Sequence, residues 1–118
     1  MKYLLLVYFK ESEMNEMSQK EWDALNAECI GFGDSITKSG HRLGSEALEQ
    51  TSTATTVRVR NGKVATTDGP FAETKEQLAG FYFVEAKDLN EAIQVASRIP
   101  PARLGSIEIR PVRSLIRK

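Results

Sequence analysis

Several features that assign many proteins to a known class are scarce in this sequence. Only one of its 118 residues is a cysteine and only one is a histidine, which excludes an internal disulfide and the usual zinc sites. Sixteen basic residues balance sixteen acidic ones, so the electrostatic signature of a nucleic-acid-binding protein is missing. No apolar run approaches the roughly 20 residues that span a membrane. These absences predict a cytoplasmic protein with no metal, nucleic-acid or membrane partner.

The composition is that of an ordinary globular protein. Hydrophobic residues make up 41% of the chain and charged residues 27%, and the length suits one domain over residues 1–118. Neither a glycine-rich phosphate loop nor a Gly-x-Ser-x-Gly elbow is present, so no cofactor is predicted. The basic run at the end, Arg110, Arg113, Arg117 and Lys118, is typical of a solvated terminus.

The first third of the chain predicts a strand followed by a helix. Residues 3–9 are an unbroken run of β-forming residues, typical of a central strand, and the polar residues 10–17 indicate a loop. Ser18 and Glu21 have the spacing of a capping box. Apolar residues then recur at helical intervals: Trp22, Leu25, Cys29, Phe32 and Ile36. Gly40 suits a left-handed C-cap, and Cys29 is expected to be a packed thiol.

The rest of the chain predicts a hairpin and a second strand–helix–strand unit. Residues 53–60 alternate in polarity, and Asn61-Gly62 predicts a type I′ turn into a partner strand at 63–67. An aromatic strand at 80–86 precedes a helix that begins after Asp88 and ends at Pro100-Pro101. Residues 104–110 close the set as a last strand.

This element order predicts an α+β fold of the split βαβ, ferredoxin-like type, with an inserted β-hairpin. Right-handed crossovers place both helices on one side of an antiparallel sheet. The other sheet face then presents apolar and aromatic side chains, and an exposed patch of that kind usually binds a partner. We expect a homodimer in which two sheets face each other as a dimeric α+β barrel.

The stretch Asp68-Gly69-Pro70-Phe71-Ala72-Glu73-Thr74-Lys75-Glu76 combines a tight turn, a rigid proline, an aromatic residue and several charges. We expect a turn with one or two helical turns, and Phe71 in the core. Asp68 has two interpretations: a carboxylate that caps the turn, or one that faces a cleft as a base or ligand-binding group. Glu73 can turn inward in the same stretch.

Residues Thr67–Glu76, followed by Gly80, Tyr82 and Glu85, resemble the signature of the YCII-related (DGPF) family of small bacterial proteins. The opening residues Met1–Leu6, the middle segment Gly44–Leu48 and the end Gly105–Pro111 are similar to that family as well. The resemblance implies a dimeric α+β barrel, and for some relatives a His–Asp pair in a pocket. Asp68 matches the aspartate. The resemblance places the histidine in the first helix, but residues 21–38 contain none. His41 would therefore have to fold back towards Asp68 to form the pair.

Two functional hypotheses follow. In the first, a small polar or anionic molecule binds near Asp68, with acid–base chemistry centred on Asp68 and assisted by His41; the sequence leaves open whether there is catalysis. Tyr82, Glu73, Arg58 and Arg110 are candidate ligand-binding residues. For Tyr82 the dimer interface is favoured over the pocket. In the second, the resemblance implies a regulatory or protein-interaction module, since some relatives are associated with sigma factors.

Overall fold

The centre of the molecule is a sheet of four antiparallel strands. The computed structural model describes residues 1–116, so Arg117 and Lys118 of the basic tail lie outside the described residues. The strands are β1 (Lys2–Phe9), β2 (Arg42–Ala47), β3 (Thr55–Arg60), β4 (Lys63–Asp68), β5 (Gln77–Glu85) and β6 (Ser106–Pro111). The helices are α1 (Glu11–Asn15), α2 (Gln19–Lys38) and α3 (Leu89–Ser97). The protein is therefore α+β with a mainly antiparallel sheet.

Strand β1 occupies the middle of the sheet. The strand order is β2-β5-β1-β6, and β1 runs antiparallel to both of its neighbours. This position confirms the prediction of a central strand, because an all-apolar strand must be covered on both sides. In the register, Leu5 lies opposite Tyr82 of β5 and Ile109 of β6. These three side chains therefore share one face of the sheet.

Helices α2 and α3 cover that face. Alternate residues of β1 are buried beneath them, with Leu5 fully inaccessible to solvent. The side chains that pack together are Tyr3, Leu5, Val7 and Phe9 of β1, Phe32 and Ile36 of α2, Val84 of β5, and Ala92, Val95 and Ala96 of α3. Burying one such large side chain stabilises the fold by about 1.5–3 kcal/mol. This layer is the core of the protein.

The ends of α2 match the predicted signals. The Ser18 hydroxyl accepts a hydrogen bond from the Glu21 N–H at 3.1 Å, and the Glu21 carboxylate accepts one from the Ser18 N–H at 3.1 Å. Gly40 follows the helix with φ of 80°. The expected loop at residues 10–17 is wrong, because Glu11–Asn15 forms α1. Within residues 1–116, no helix combines the length and apolar character needed to cross a membrane.

The opposite face of the sheet, here called the open sheet face, is left uncovered by α2 and α3. Leu4 and Leu6 of β1 lie there, opposite Phe83 and Phe81 of β5. Tyr8 continues the row, and all five side chains are only half-buried. A contiguous row of leucine and aromatic side chains in contact with water is unfavourable, so this face is a candidate for covering by another molecule.

Strands β3 and β4 form a separate hairpin, here called the arm. Asn61 and Gly62 at its tip have φ of 53° and 75°, which confirms the predicted type I′ turn. Val57, Val59 and Val64 are 60%, 56% and 69% exposed. The radius of gyration is 16.4 Å, whereas a compact chain of this length has about 13.5 Å. The arm therefore extends away from the compact part of the molecule and does not contribute to the core.

Candidate functional site

The segment Asp68–Glu76, here called the DGPF segment, connects the arm to the sheet. Asp68 is the last residue of β4 and lies opposite Thr55. Gly69 has φ of 95°, a conformation that strongly favours glycine. Its N–H donates to the Ala54 carbonyl at 2.7 Å, and its own carbonyl accepts from the Thr56 hydroxyl at 2.8 Å. Gly69 therefore closes the base of the arm.

The rest of the DGPF segment differs from what its sequence predicted. It contains no helical turn. Instead the Thr74 hydroxyl donates to the Glu76 carbonyl, and the side-chain amide of Gln77 donates to the Thr74 carbonyl at 2.7 Å. Phe71 is 80% exposed, so its expected place in the core is wrong for the single chain. A phenylalanine in water beside the open sheet face enlarges the exposed apolar surface.

An open groove of about 930 Å³ lies between the DGPF segment and the sheet. Pro70, Phe71 and residues 72–75 form one wall, and Tyr8 and Leu78 of the open sheet face form another. The third wall comes from α1 and residues 48–56. Glu73 lines this groove together with Lys75, whereas Asp68 stands next to it and is not among its lining residues.

Glu11 holds the third wall in place. Its carboxylate accepts hydrogen bonds from the Thr51 N–H at 2.7 Å and the Thr51 hydroxyl at 2.6 Å. The Glu11 N–H donates to the Gln77 side-chain oxygen at 2.9 Å. These long-range bonds stabilise a helix of five residues that would not form alone. The sequence around Glu11 carries no local signal for them.

His41 lies at the exit of α2 and faces α3. Its Nε2 is 2.7 Å from a carboxylate oxygen of Glu91, and its Nδ1 is 2.6 Å from the Ser39 hydroxyl. Asp68 belongs to the arm, and within residues 1–116 no hydrogen bond joins it to His41. The His41–Asp68 pair considered from the sequence is therefore not formed in the single chain. His41 instead connects the end of one helix to the first turn of the next.

The Asp68 carboxylate is exposed. Within the described chain it makes no hydrogen bond or ion pair, so the capping interpretation of this residue has no contact to support it. Arg58 is exposed on β3, and Arg110 on β6 lies 3.4 Å from Glu108. Neither arginine lines the open groove. The arginine cluster that an anion would need is therefore not assembled by one chain.

Tyr82 lies on the helix-covered face, not on the open sheet face where a dimer interface was favoured. Its ring meets Phe32 edge to face, with centroids 5.1 Å apart and an interplanar angle of 89°. Burial raises the pKa of the Tyr82 phenol above its usual value; nearby Cys29 adds to this and Arg42 opposes it. The hydroxyl therefore stays protonated at neutral pH.

Tyr82 belongs to a second cavity, here called the inner cleft, of about 470 Å³. It lies between α2 and the sheet, lined on the helix side by Trp22, Leu25 and Cys29. Their spacing predicts one helix face and gives no sign of a cavity. In the structure Trp22 and Cys29 are only half-buried and leave space between the helix and strand β5.

Among the described residues, no three histidine, cysteine or acidic side chains come together as a metal site would require.

Comparison with known proteins agrees with the resemblance seen in the sequence. The model of the YCII-related domain matches residues 1–116. An uncharacterized protein of Rhizobium meliloti (strain 1021) is 36% identical over 115 residues, covering 95% of this chain and 92% of the relative.

Proposed function

Because the chain belongs to the YCII-related family, we propose that it is a homodimer that binds a small polar molecule at the open groove beside Asp68. The proposal includes the ferredoxin-like, dimeric α+β-barrel arrangement predicted from the sequence. The strand order β2-β5-β1-β6, with helices α2 and α3 on one face, supports that topology. A cytoplasmic location stays a prediction.

The observation that carries the proposal is the position of the DGPF segment. Phe71 of this segment is 80% exposed and lines a groove whose opposite wall is Tyr8 of the open sheet face. Two apolar surfaces that border one groove are covered together if a second copy packs on the open sheet face. The same contact would narrow the groove into a pocket.

The lining of the groove favours a neutral polar ligand over an anionic one. Threonine hydroxyls are frequent along it, at Thr51, Thr53, Thr55, Thr56 and Thr74. Lys75 is accompanied by the carboxylates of Glu49 and Glu73, so an anion gains little from the local charge. Four of these hydroxyls, all but that of Thr55, donate within the chain and keep lone pairs that accept, which suits a ligand with hydroxyl or amide donors.

Asp68 is the residue most suited to contact such a ligand. It stands beside Gly69 and Pro70 at the edge of the groove, and within residues 1–116 its oxygens are not used by the fold. A carboxylate with free lone pairs accepts hydrogen bonds from ligand hydroxyl or amide groups. His41, bonded to Glu91, is not available for acid–base chemistry with Asp68 in this arrangement. Binding is therefore favoured over catalysis.

The dimer is tested by placing a charge on the open sheet face. We expect sedimentation to give about twice the protomer mass of 13.2 kDa for the unchanged protein. Phe83→Glu should raise the dimer dissociation constant at least about tenfold, because a buried unpaired carboxylate is costly. Ile93→Glu, at a 47% exposed apolar side chain on α3, is the control and should leave the dimer intact. A monomer at all concentrations would refute the dimer.

The ligand site is tested by Asp68→Asn. This exposed substitution should change the free energy of unfolding by less than about 0.5 kcal/mol. ¹⁵N-labelled protein titrated with neutral sugars, polyols, amino acids and inorganic phosphate should show shifts of the Phe71 and Ala72 amides, lost in Asp68→Asn. Asp34→Asn, exposed on α2, is the control. An intact dimer that binds none of these compounds would favour the interaction-module hypothesis.

A further inference from the structure

The inner cleft lies between α2 and the sheet, whereas the open groove lies between the DGPF segment and the sheet; residues 48–50 border both. Its floor comes from Val7 and Phe9 of β1 and from Tyr82 of β5, and its roof is the Trp22–Cys29 face of α2. Residues 45–50 form the mouth. The volume of about 470 Å³ falls in the range of about 300–1,000 Å³ typical of small-molecule sites.

No residue that lines the interior of the inner cleft is charged, and the Arg42 guanidinium lies outside the lining, against Ser45 Oγ. Burial raises the pKa of the Cys29 thiol, with the nearby Glu28 carboxylate adding to this and Arg103 opposing it, so the thiol is protonated. The charged residues of the lining are Glu46 and Glu49, both exposed at the mouth. Two carboxylates at the entrance repel an anion, and an apolar interior disfavours any ion.

Two hydroxyls give the inner cleft a polar end. Ser45 Oγ accepts hydrogen bonds from Arg42 at 2.8 and 3.1 Å, which leaves the serine O–H as a donor. The Tyr82 hydroxyl has no hydrogen-bond partner within residues 1–116, although the residue is half-buried. Ser45 lies opposite Tyr82 in the pairing of β2 with β5, so the two hydroxyl-bearing side chains share one face of the sheet.

We propose that the inner cleft is a second binding site, for a small uncharged and mainly apolar molecule that carries one hydrogen-bond acceptor. The apolar body lies between Trp22, Leu25 and Phe9, and the acceptor, a carbonyl or ether oxygen, receives hydrogen bonds from Tyr82 and Ser45. This ligand class differs from the polar molecule proposed for the open groove. Every residue named in the site belongs to one chain, so the site does not require a dimer.

The chain carries two reporters of this site. Cys29 is its only cysteine and Trp22 its only tryptophan, and both line the inner cleft. The rate at which Cys29 reacts with a thiol reagent therefore reports occupancy of the cleft, and the Trp22 indole N–H gives a single NMR resonance there. No other thiol in the chain competes with the first signal.

Three naphthalene probes test the proposal. 2-Acetylnaphthalene has an apolar body and a carbonyl, 2-ethylnaphthalene lacks the acceptor, and 2-naphthoate is an anion of similar shape. Equilibrium dialysis should show saturable binding of 2-acetylnaphthalene to one site per chain, at least about tenfold tighter than 2-naphthoate. Its binding should slow Cys29 modification and shift the Trp22 resonance. Absence of saturable binding, tighter binding of 2-naphthoate, or unchanged Cys29 reactivity would each overturn the proposal.

Substitutions then locate the ligand. Tyr82→Phe should reduce the preference for the acetyl over the ethyl probe by about threefold to tenfold, the effect of one neutral hydrogen bond. Cys29→Leu should weaken 2-acetylnaphthalene at least about tenfold by filling the cleft, and Ile30→Leu, at a 67% exposed position on the same helix, should not. If Cys29→Leu fails to fold, Asn26→Trp at the exposed rim serves the same purpose. Unchanged affinity in a folded blocking variant would overturn the site.

The two proposed sites are distinguishable in one experiment. Asp68→Asn should leave 2-acetylnaphthalene binding unchanged, since Asp68 does not line the inner cleft. Loss of binding in Asp68→Asn would assign the probe to the open groove and overturn the inner-cleft site.

Discussion

The two faces of the sheet differ in how far one chain completes them. On the helix-covered face, Leu5, Ile36 and Val84 are fully buried. On the open sheet face, Leu4, Leu6, Phe81 and Phe83 are half-buried, and the arm beside it exposes Val57, Val59 and Val64. Both regions are rich in apolar residues, so composition alone does not separate them. The difference is that α2 and α3 return across only one face.

This difference assigns separate roles to the two regions. The helix-covered face supplies the free energy that folds the single chain, because area removed from water is the main stabilising term. The open sheet face and the arm contribute little to that term until another molecule covers them. The DGPF segment, the most distinctive part of the sequence, lies in the second region. Its Phe71 side chain is 80% exposed, so this part of the sequence does not contribute to the core.

The largest effect is expected when one leucine is truncated on the helix-covered face. Leu5→Ala leaves a cavity in a fully buried site and should lower the free energy of unfolding by about 2–5 kcal/mol. Val57→Ala on the arm should cost less than about 0.5 kcal/mol in the folding of the single chain. Urea denaturation at low protein concentration measures both. Equal losses would show that the arm already packs within one chain.

A second test uses the same substitution at two glycines. A Cβ at Gly105 would lie 2.0 Å from the Tyr8 carbonyl oxygen, so Gly105→Ala should destabilise the protein by about 1–3 kcal/mol. At Gly31, inside α2, such a Cβ meets no other part of the chain within 4 Å beyond its own helix turn, and Gly31→Ala should stabilise by about 0.4–1 kcal/mol. Thermal unfolding measures both changes. Destabilisation at Gly31 would indicate that its side of α2 is covered in solution.

The smallest expected effect is on the stability of the protein at acidic pH. Hydrogen bonds from Ser18 stabilise the ionised carboxylate of Glu21 in the folded state. They therefore lower its pKa below the value of 4.5 that it has without them. The stabilisation is therefore present above about pH 4.5 and is lost as the pH falls through the lowered pKa. Glu21→Gln should remove this part of the pH dependence. A thermal-midpoint profile between pH 3 and 7 that is the same in both proteins would contradict the prediction.

Local signals predicted the regular elements well. The capping box at Ser18, the type I′ turn at Asn61-Gly62 and the last strand each appear in the structure, because their causes lie within a few residues of chain. The errors involve longer distances. Helix α1 depends on hydrogen bonds that the Glu11 carboxylate accepts from Thr51, 40 residues away. The DGPF segment was expected to be helical, yet it is held by the turn around Thr74.

The candidate site was predictable only as a list of residues. Glu73 lines the open groove and Asp68 precedes the lining residue Pro70 by two positions, whereas Arg58 and Arg110 lie on strands of different sheets. His41 was considered as the partner of Asp68 because it is the only histidine, but its ring is hydrogen-bonded to Glu91, 50 residues away. Side-chain partners across the fold depend on how helices cross the sheet, and no local pattern encodes that.

The sequence by itself determined most of the secondary structure of this protein: which runs alternate, where α2 and α3 begin and where the hairpin turns. These follow from backbone sterics, capping and periodicity, all of which act over a few residues. Only the tertiary structure decided that one sheet face is covered and the other open, that Tyr82 lies beneath α2, and that Phe71 is exposed. Burial depends on what the rest of the chain places nearby, and that is a property of the whole fold.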